Sequence, residues 1–219
     1  MSEPHARYVP ALGYSWLTRL YDPVVRLSTR ERFFKQALLQ QARLRSGMEI
    51  LDLACGTGTL ALMALQQMPG LCVRGLDGDP AILAIAQAKA AQAGAAIPFD
   101  QGLSTALPYP EASFDRVLSS LFFHHIGRKD KQQTFAEIAR VLKPGGELHV
   151  ADWGKPTGPF MRGLFYSIQL LDGFSNTRDN VTGQLPELMG AAALQKVTVH
   201  RDINTVYGTL TLYSARKPE

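Results

Sequence analysis

Short apolar runs alternate with longer helix-forming stretches through the middle of the chain, between about residues 47 and 152. Buried parallel strands give continuous apolar runs, whereas helices that pack against them repeat their apolar positions every three or four residues. The predicted strands cover residues 49–54, a run ending at 77, 97–101, 114–120 and 147–152, and the predicted helices cover 59–67, 81–93 and 131–142. This alternation is typical of a wound α/β sheet.

The residues before this alternation have a different pattern. Residues 1–46 carry aromatic and aliphatic side chains at three- and four-residue spacing, interrupted by Pro10 and Pro23. This spacing predicts a leader of short helices, the last of them over residues 32–44.

The residues after the alternation form an insertion and a closing unit. Residues 153–184 contain an apolar helical stretch at 160–171 and a polar, turn-rich tail at 174–180. Because loops at the carboxyl ends of parallel strands build the ligand crevice, we expect this insertion to be a cap on the substrate side. The chain then closes with a helix and two strands, predicted at 185–193, 196–201 and 209–216.

Composition narrows the class of protein. The 219 residues are 46% hydrophobic and 19% charged, which is ordinary for one globular domain. The net charge of +4 is not concentrated in a basic run, so nucleic acid is not indicated as a partner. Two cysteines do not suggest a disulfide framework, and neither a signal peptide nor an integral membrane segment is evident. We therefore expect a cytoplasmic protein.

A glycine turn after the first strand gives the first indication of chemistry. Gly56 and Gly58 lack Cβ atoms, so the backbone can adopt positive φ and a ligand can approach closely. The same residues fit a G-x-G-x-x-A pyrophosphate loop of a nicotinamide enzyme. However, the carboxylate of Asp52 at the end of the strand would repel a pyrophosphate and favour a cationic ligand. S-adenosylmethionine (SAM), a sulfonium, is such a ligand.

Asp77 closes the second strand and is the candidate for binding a ribose. Two charge-assisted hydrogen bonds from a ribose diol to one carboxylate would each contribute roughly 1.5–3 kcal/mol. An acid at this position also occurs in nicotinamide-binding folds. Asp77 therefore indicates an adenosine ligand without identifying the cofactor.

Four motifs follow one another in a recognisable order. They are Asp-Leu-Ala-Cys-Gly-Thr-Gly at 52–58, Gly-Leu-Asp at 75–77, Leu-Pro-Tyr-Pro at 107–110 with Ser-Phe-Asp-Arg-Val at 113–117, and Arg-Val-Leu-Lys-Pro-Gly-Gly at 140–146. Together they resemble the class I SAM-dependent methyltransferases, and within them the small-molecule branch that includes the quinone-biosynthesis enzymes. The resemblance is close over roughly residues 47–152 and looser in the final hairpin.

The resemblance implies a fold and a division of the chain. The expected fold is a Rossmann-like, doubly wound α/β sheet of seven strands in the order 3-2-1-4-5-7-6, with the last strand antiparallel. Residues 1–219 would form one domain. Its parts would be a helical leader at 1–46, a cofactor-binding core at 47–152, a substrate cap at 153–184 and a helix with a hairpin at 185–219.

The resemblance also implies a set of cofactor-binding residues: Asp52, Ala54, Cys55, Gly56, Gly58, Asp77, Gly78, Leu103, Ser104, Ser119 and Ser120. In the family, the acid at Asp52 holds the amino end of SAM, although an Asp here can also simply cap the turn. Ala54 replaces the family's usual first glycine and is expected to be tolerated in a strand conformation. Leu103 stands where the family often has an Asp that accepts from adenine. Cys55 is not expected to be a nucleophile.

The acceptor side is less clearly marked. The chain lacks the Asn/Asp-Pro-Pro-aromatic tetrad of enzymes that methylate exocyclic amines of bases or glutamine. His124 or His125 could act as general base or only pack beside the cofactor, and Asp152 could act as base, orient a donor or cap its loop. The candidate substrate-lining residues, which could equally be core aromatics, are Tyr14, Trp16, Tyr21, Trp153 and Phe165. No spacing indicates a dedicated metal site.

The function that follows is transfer of a methyl group from SAM to a small, hydrophobic or aromatic acceptor by in-line displacement, with S-adenosylhomocysteine (SAH) as product. Two alternatives stay open from the sequence. One is a module that binds SAM without turnover, and the other is a nicotinamide-dependent oxidoreductase. We expect a monomer or a homodimer.

Overall fold

The computed structural model describes residues 30–219. Most of the leader, with Tyr14, Trp16 and Tyr21, lies outside the described residues. The short helix predicted at 32–44 is present as α1, Glu31–Ala42. Within the described range, none of the helices has the length and apolar character needed to cross a membrane.

The sheet has seven strands in the order β3-β2-β1-β4-β5-β7-β6, which confirms the prediction. The strands are β1 Glu49–Leu53, β2 Cys72–Asp77, β3 Phe99–Gln101, β4 Phe114–Ser120, β5 Leu142–Trp153, β6 Gln195–Thr205 and β7 Gly208–Arg216. The first five strands run parallel, whereas β7 is antiparallel to both β5 and β6. The carboxyl ends of β1, β2, β4 and β5 therefore share one edge of the sheet.

Helices cover both faces of the sheet. In addition to α1 they are α2 Thr59–Gln67, α3 Pro80–Gln92, α4 Arg128–Val141, α5 Pro159–Asp172, α6 Phe174–Val181 and α7 Leu185–Ala191, with a short 3-10 helix at Phe123–His125. One apolar core joins α1, α2 and α5 to one face of the sheet. The other joins α4 and α7 to the opposite face. Successive side chains of β1 point to opposite faces of the sheet, so Ile50 belongs to the first core and Leu51 to the second.

The tail at 174–180 was predicted as turns, and this prediction was wrong, because the residues form helix α6. Three of their polar side chains are buried, namely Thr177, Asp179 and Asn180. The carboxylate of Asp179 pairs with Arg128 at 2.6 Å and with Lys131 at 3.3 Å. Thr177 accepts a hydrogen bond from Gln169 at 2.9 Å. These contacts stabilise a helix that local propensity does not favour.

Three boundaries also differ from the prediction by three or more residues, and one of them is the end of β6, which lies at Thr205 and not at 201. α4 begins at Arg128, three residues before the predicted 131. β5 begins at Leu142 and not at 147, because Leu142 pairs with Phe114 across a register shift before the regular ladder starts. The longer strand carries Pro144, Gly145 and Gly146 within it, which is why their turn chemistry suggested a later start.

Candidate functional site

The glycine turn joins β1 to α2 and holds its two glycines in the left-handed region. Gly56 has φ +54°, and a Cβ atom added there would meet nothing within 4 Å. Gly58 has φ +71°, and a Cβ atom there would lie 2.8 Å from the ring of Phe99. Gly58 therefore allows the turn to pack on β3, whereas Gly56 leaves open space in which a ligand can approach the backbone.

Ala54 departs from its predicted conformation. Its φ is +54°, so the residue lies in the left-handed region and not in the strand conformation that we expected. A Cβ atom in this region is disfavoured by roughly 1–2 kcal/mol, because it crowds the following carbonyl. The position thus keeps the backbone geometry that a glycine would take more readily.

Asp77 lies next to the glycine turn. Its Oδ2 accepts a hydrogen bond from the Gly56 N–H at 2.9 Å, and its Oδ1 accepts one from the Asp79 N–H at 3.1 Å. Burial raises the pKa of this carboxyl, while the backbone N–H donors oppose the rise. A carboxylate oxygen can accept more than one hydrogen bond, so Asp77 retains capacity for a hydroxyl ligand.

Asp52 lies beneath the turn and is almost fully buried, with 1% of its surface exposed. Its Oδ2 accepts a hydrogen bond from the Ala61 N–H at 3.0 Å, within the first turn of α2. Burial raises the pKa of this carboxyl to about 7, and the charge of Lys35 opposes the rise. The contact is that of an acid that secures the helix N-terminus. A role in holding the amino end of SAM stays a prediction.

Cys55 follows in the same turn, and its thiol is buried. Burial raises the thiol pKa, and the nearby carboxylates of Asp52 and Asp77 raise it further. A thiol that keeps its proton is a poor nucleophile. The environment of Cys55 therefore favours packing over covalent chemistry.

The predicted adenine side lies beyond β3. The Gly102 N–H donates to the Asp77 carbonyl oxygen at 3.0 Å, which ties this loop to the end of β2. Leu103 is 38% exposed and presents an apolar surface without a hydrogen-bond acceptor. The hydroxyl groups of Ser104 and Thr134 form a hydrogen bond, with 2.9 Å between their oxygen atoms. Sequence and structure agree that the side chain at Leu103 offers no acceptor to an adenine amino group.

Ser119 and Ser120 end β4, the strand beside β1. Ser119 pairs with Leu53 and is fully buried. Its hydroxyl oxygen has no hydrogen-bond partner within residues 30–219. A buried hydroxyl without a partner is uncommon, and this one lies at the sheet edge where the strand ends converge.

Asp152, at the end of β5, is the centre of a buried network. Its Oδ2 accepts from the N–H groups of Phe122 and Phe123 at 3.0 and 2.6 Å. Its Oδ1 accepts from the Trp153 N–H at 2.7 Å and lies 2.7 Å from His124 Nδ1. Burial by itself would raise the pKa of Asp152, but His124 and the backbone donors hold it below its ordinary value. The group is therefore a carboxylate, and His124 Nδ1 donates to it.

A second carboxylate faces the two histidines from the opposite side. Asp172 is the last residue of α5, and its Oδ1 lies 3.1 Å from His125 Nδ1. Its Oδ2 lies 3.7 Å from His124 Nε2, which is too long for a hydrogen bond. The two imidazole rings are 4.0 Å apart between centroids. Burial lowers the pKa of His125, and the neighbouring His124 lowers it further.

The insertion holds this arrangement in place. The Asn176 side chain donates to the carbonyl oxygens of His125 and Asp172 at 3.0 and 3.1 Å. Asn180 donates to the Trp153 carbonyl oxygen at 2.9 Å. Sequence reasoning missed Asp172, Asn176 and Asn180. Only Asn176 and Asn180 carried a local signal, since residues four apart lie on one side of a helix, whereas Asp172 ends the preceding helix.

Trp153 and Phe165 were predicted to line a substrate cavity, and both are buried, with 2% and 1% of their surface exposed. Their rings meet at 5.6 Å between centroids, and Trp153 also lies 6.2 Å from the His124 ring. The pair forms part of a core that backs the histidines. Direct contact with an acceptor stays a prediction for both residues.

Comparison with known proteins places this geometry in context. Residues 50–146 match a protein family described as a methyltransferase domain. The chain is 38% identical over 156 residues to demethylmenaquinone methyltransferase of Thermus thermophilus. This alignment covers 71% of this chain and 67% of the relative. It is 33% identical over 135 residues to the enzyme of the same name from Deinococcus radiodurans. That alignment covers 62% of this chain and only 55% of the relative.

Solved structures share the fold. A putative methyltransferase from Bacillus halodurans aligns with a TM-score of 0.69 over 84% of this chain and 99% of its own. The sequences are 21% identical over this alignment, so the likeness concerns the fold. The glycine turn, the acid that closes β2 and the buried histidine cluster are thus set on a sheet topology that methyltransferases use.

Proposed function

Because the chain belongs to the class I SAM-dependent methyltransferases, with SAM as their cofactor, we propose that it methylates a small hydrophobic or aromatic acceptor and releases SAH. The acceptor's nucleophilic atom would attack the sulfonium methyl from the side opposite the sulfur. Such a displacement depends mainly on alignment, and well-oriented reactants can lower a barrier by roughly 7–11 kcal/mol. The protein's main task is then to hold the two molecules in line.

The observation that carries the proposal is the position of Asp77 against the glycine turn. Its two oxygens are oriented by the Gly56 and Asp79 N–H groups at 2.9 and 3.1 Å. A ribose diol bound there would rest beside the open face of Gly56, where no side chain intervenes. This arrangement favours the adenosyl part of SAM over β1 and β2, with the sulfonium directed towards the end of β4.

The acceptor class rests on two weaker supports. The relatives named above are demethylmenaquinone methyltransferases, which suggests an aromatic quinol as the type of acceptor. The insertion supplies apolar side chains that are exposed and able to contact such a molecule, namely Phe160, Tyr166, Leu170, Leu171 and Phe174. His124, His125 and Asp152 are the residues we expect closest to the reacting atoms.

The first test is a screen for methyl transfer. Purified protein is incubated with SAM and separate panels of quinols, phenols, amines and thiols, and SAH release is measured. We expect turnover with a quinol or phenol and none with simple amines. Turnover confined to amines or thiols would overturn the acceptor class while leaving the methyltransferase assignment intact.

A second test addresses the cofactor site. Asp77→Ala should weaken SAH binding at least tenfold by calorimetry, because both ribose hydrogen bonds are lost. Glu111→Gln, which removes a carboxylate that is exposed to solvent, is the control and should bind SAH as the parent does. Equal affinity in Asp77→Ala and the parent would refute the ribose assignment.

One alternative is a protein that binds SAM without turnover. It would gain support if SAH raised the melting temperature while no acceptor in the panels was methylated, because a ligand that binds only the folded state stabilises it. The nicotinamide alternative is set aside by the family assignment. The cytoplasmic location and the monomeric or homodimeric state stay predictions.

A further inference from the structure

His124, His125 and Asp172 form a cluster that the proposed reaction does not require. They bring together two imidazoles and one carboxylate, with one potential ligand atom from each residue, all within 4.8 Å of one another. We propose that these three side chains bind a first-row divalent metal ion such as Zn²⁺. The inference does not depend on the methyl donor or the acceptor.

The first support is the separation of the donor atoms. Metal–nitrogen and metal–oxygen bonds of about 2.0–2.2 Å place neighbouring tetrahedral ligands about 3.4 Å apart. Asp172 Oδ2 lies 3.7 Å from His124 Nε2, and Asp172 Oδ1 lies 3.1 Å from His125 Nδ1. Both distances are close to the spacing of ligands around one ion. The ligand atoms of His124 and His125 lie within 4.8 Å of one another, so all three side chains surround one small space.

The second support is the tautomer of His124. Its Nδ1 donates to the Asp152 carboxylate at 2.7 Å, which in the neutral imidazole leaves the lone pair on Nε2. This nitrogen belongs to a side chain that is only 4% exposed, and it faces the Asp172 oxygen at a distance too long for a hydrogen bond. A carboxylate that holds the other nitrogen of a histidine is the usual outer partner of a metal-binding imidazole.

The third support is charge. Asp172 is 92% buried, yet its ion-pair partners within residues 30–219 are the two histidines and no Lys or Arg. The neighbouring buried acid Asp179, by contrast, is paired with both Arg128 and Lys131. A buried carboxylate is costly unless a cation or several donors compensate it. A metal ion would supply that charge at Asp172.

Two imidazoles and one carboxylate suit zinc, iron, cobalt or nickel better than magnesium or calcium, which prefer oxygen ligands. An ion held by three protein ligands has an open position, and when bound it would act as a Lewis acid towards an acceptor oxygen. His124 would then serve as a ligand and not as a general base. This site was not predictable from the sequence, because Asp172 lies at the end of α5 and meets the two histidines only in the folded chain.

The test uses tag-free protein dialysed against a chelator and titrated with Co²⁺, whose visible absorption reports coordination by nitrogen and oxygen, and with Zn²⁺ in a calorimeter. We expect saturable, equimolar binding. His125→Asn and Asp172→Asn should each weaken it at least tenfold. His200→Asn, which removes an imidazole of β6 that is hydrogen-bonded to Ser214 of β7, is the matched control and should bind as the parent does.

Melting temperatures measured in the presence of chelator establish that each variant is folded. If one of the two cluster variants does not fold, the other is sufficient for the test. Absence of saturable binding in the parent would overturn the proposal. Binding that His200→Asn loses and both cluster variants keep would also overturn it, since the metal would then lie elsewhere on the surface.

Discussion

Replacing Ala54 by glycine should stabilise the protein. Ala54 has φ +54°, where a Cβ atom costs roughly 1–2 kcal/mol. Glycine removes this cost, but it also increases the conformational entropy of the unfolded chain, which lowers stability by about 0.4–1 kcal/mol. The net gain is therefore about 1 kcal/mol. For a domain of this size, such a gain raises the melting temperature by roughly 2–4 °C.

The assay is urea unfolding at constant pH with thermal melting as a second measure, and the matched control is Ala88→Gly. Ala88 is exposed in the interior of α3, where the same substitution should cost about 1 kcal/mol. The two variants remove the same methyl group from a left-handed and from a right-handed helical backbone, and they should move stability in opposite directions. If both variants are destabilised to the same extent, the left-handed geometry at Ala54 is not a source of strain.

Two further predictions concern buried charges. Lys131→Met should cost about 1.5–3 kcal/mol in urea unfolding, because Asp179 loses one of its two cationic partners, whereas the exposed Lys129→Met should change little. Stability should also fall as pH rises from about 4 to 7, because the pKa of Asp52 is raised by burial from 3.8 to about 7 and the folded state holds that proton more tightly. Asp52→Asn should flatten this part of the plot of unfolding free energy against pH, and an unchanged slope would contradict the raised pKa of Asp52. Equal effects of the two lysine variants would contradict a stabilising role for the buried ion pair.

The sheet was predictable because its signals are local. β4 was predicted at its observed bounds, Phe114–Ser120, and α2 at Thr59–Gln67, since an apolar run and a following helix-forming stretch carry their own periodicity. The order of strands followed from the resemblance of the motifs to a known family. In both cases the information lies within a few residues of the element it describes.

The parts that were not predictable depend on distant partners. Helix α6 is stabilised by Arg128 and Lys131 on another helix, so its own polar sequence suggested turns. The carboxylate that faces the two histidines comes from the end of α5. The backbone of Ala54 is held in the left-handed region by the turn around it, although alanine itself prefers a strand or a right-handed helix. Sequence reasoning could name His124, His125 and Asp152 but not the network that joins them.

The position of β7 affects how the protein is made. Ribosomes synthesise β5 and β6 before β7, yet β7 lies between them and contacts both. Until its residues emerge, the nascent polypeptide presents one unpaired apolar strand edge along Leu148 and Val150 and a second, more polar unpaired edge along β6. Such edges favour association between chains. We therefore expect stalled or prematurely released products that lack β7 to aggregate and to depend on chaperones, even though every ligand-binding residue named above has already been translated.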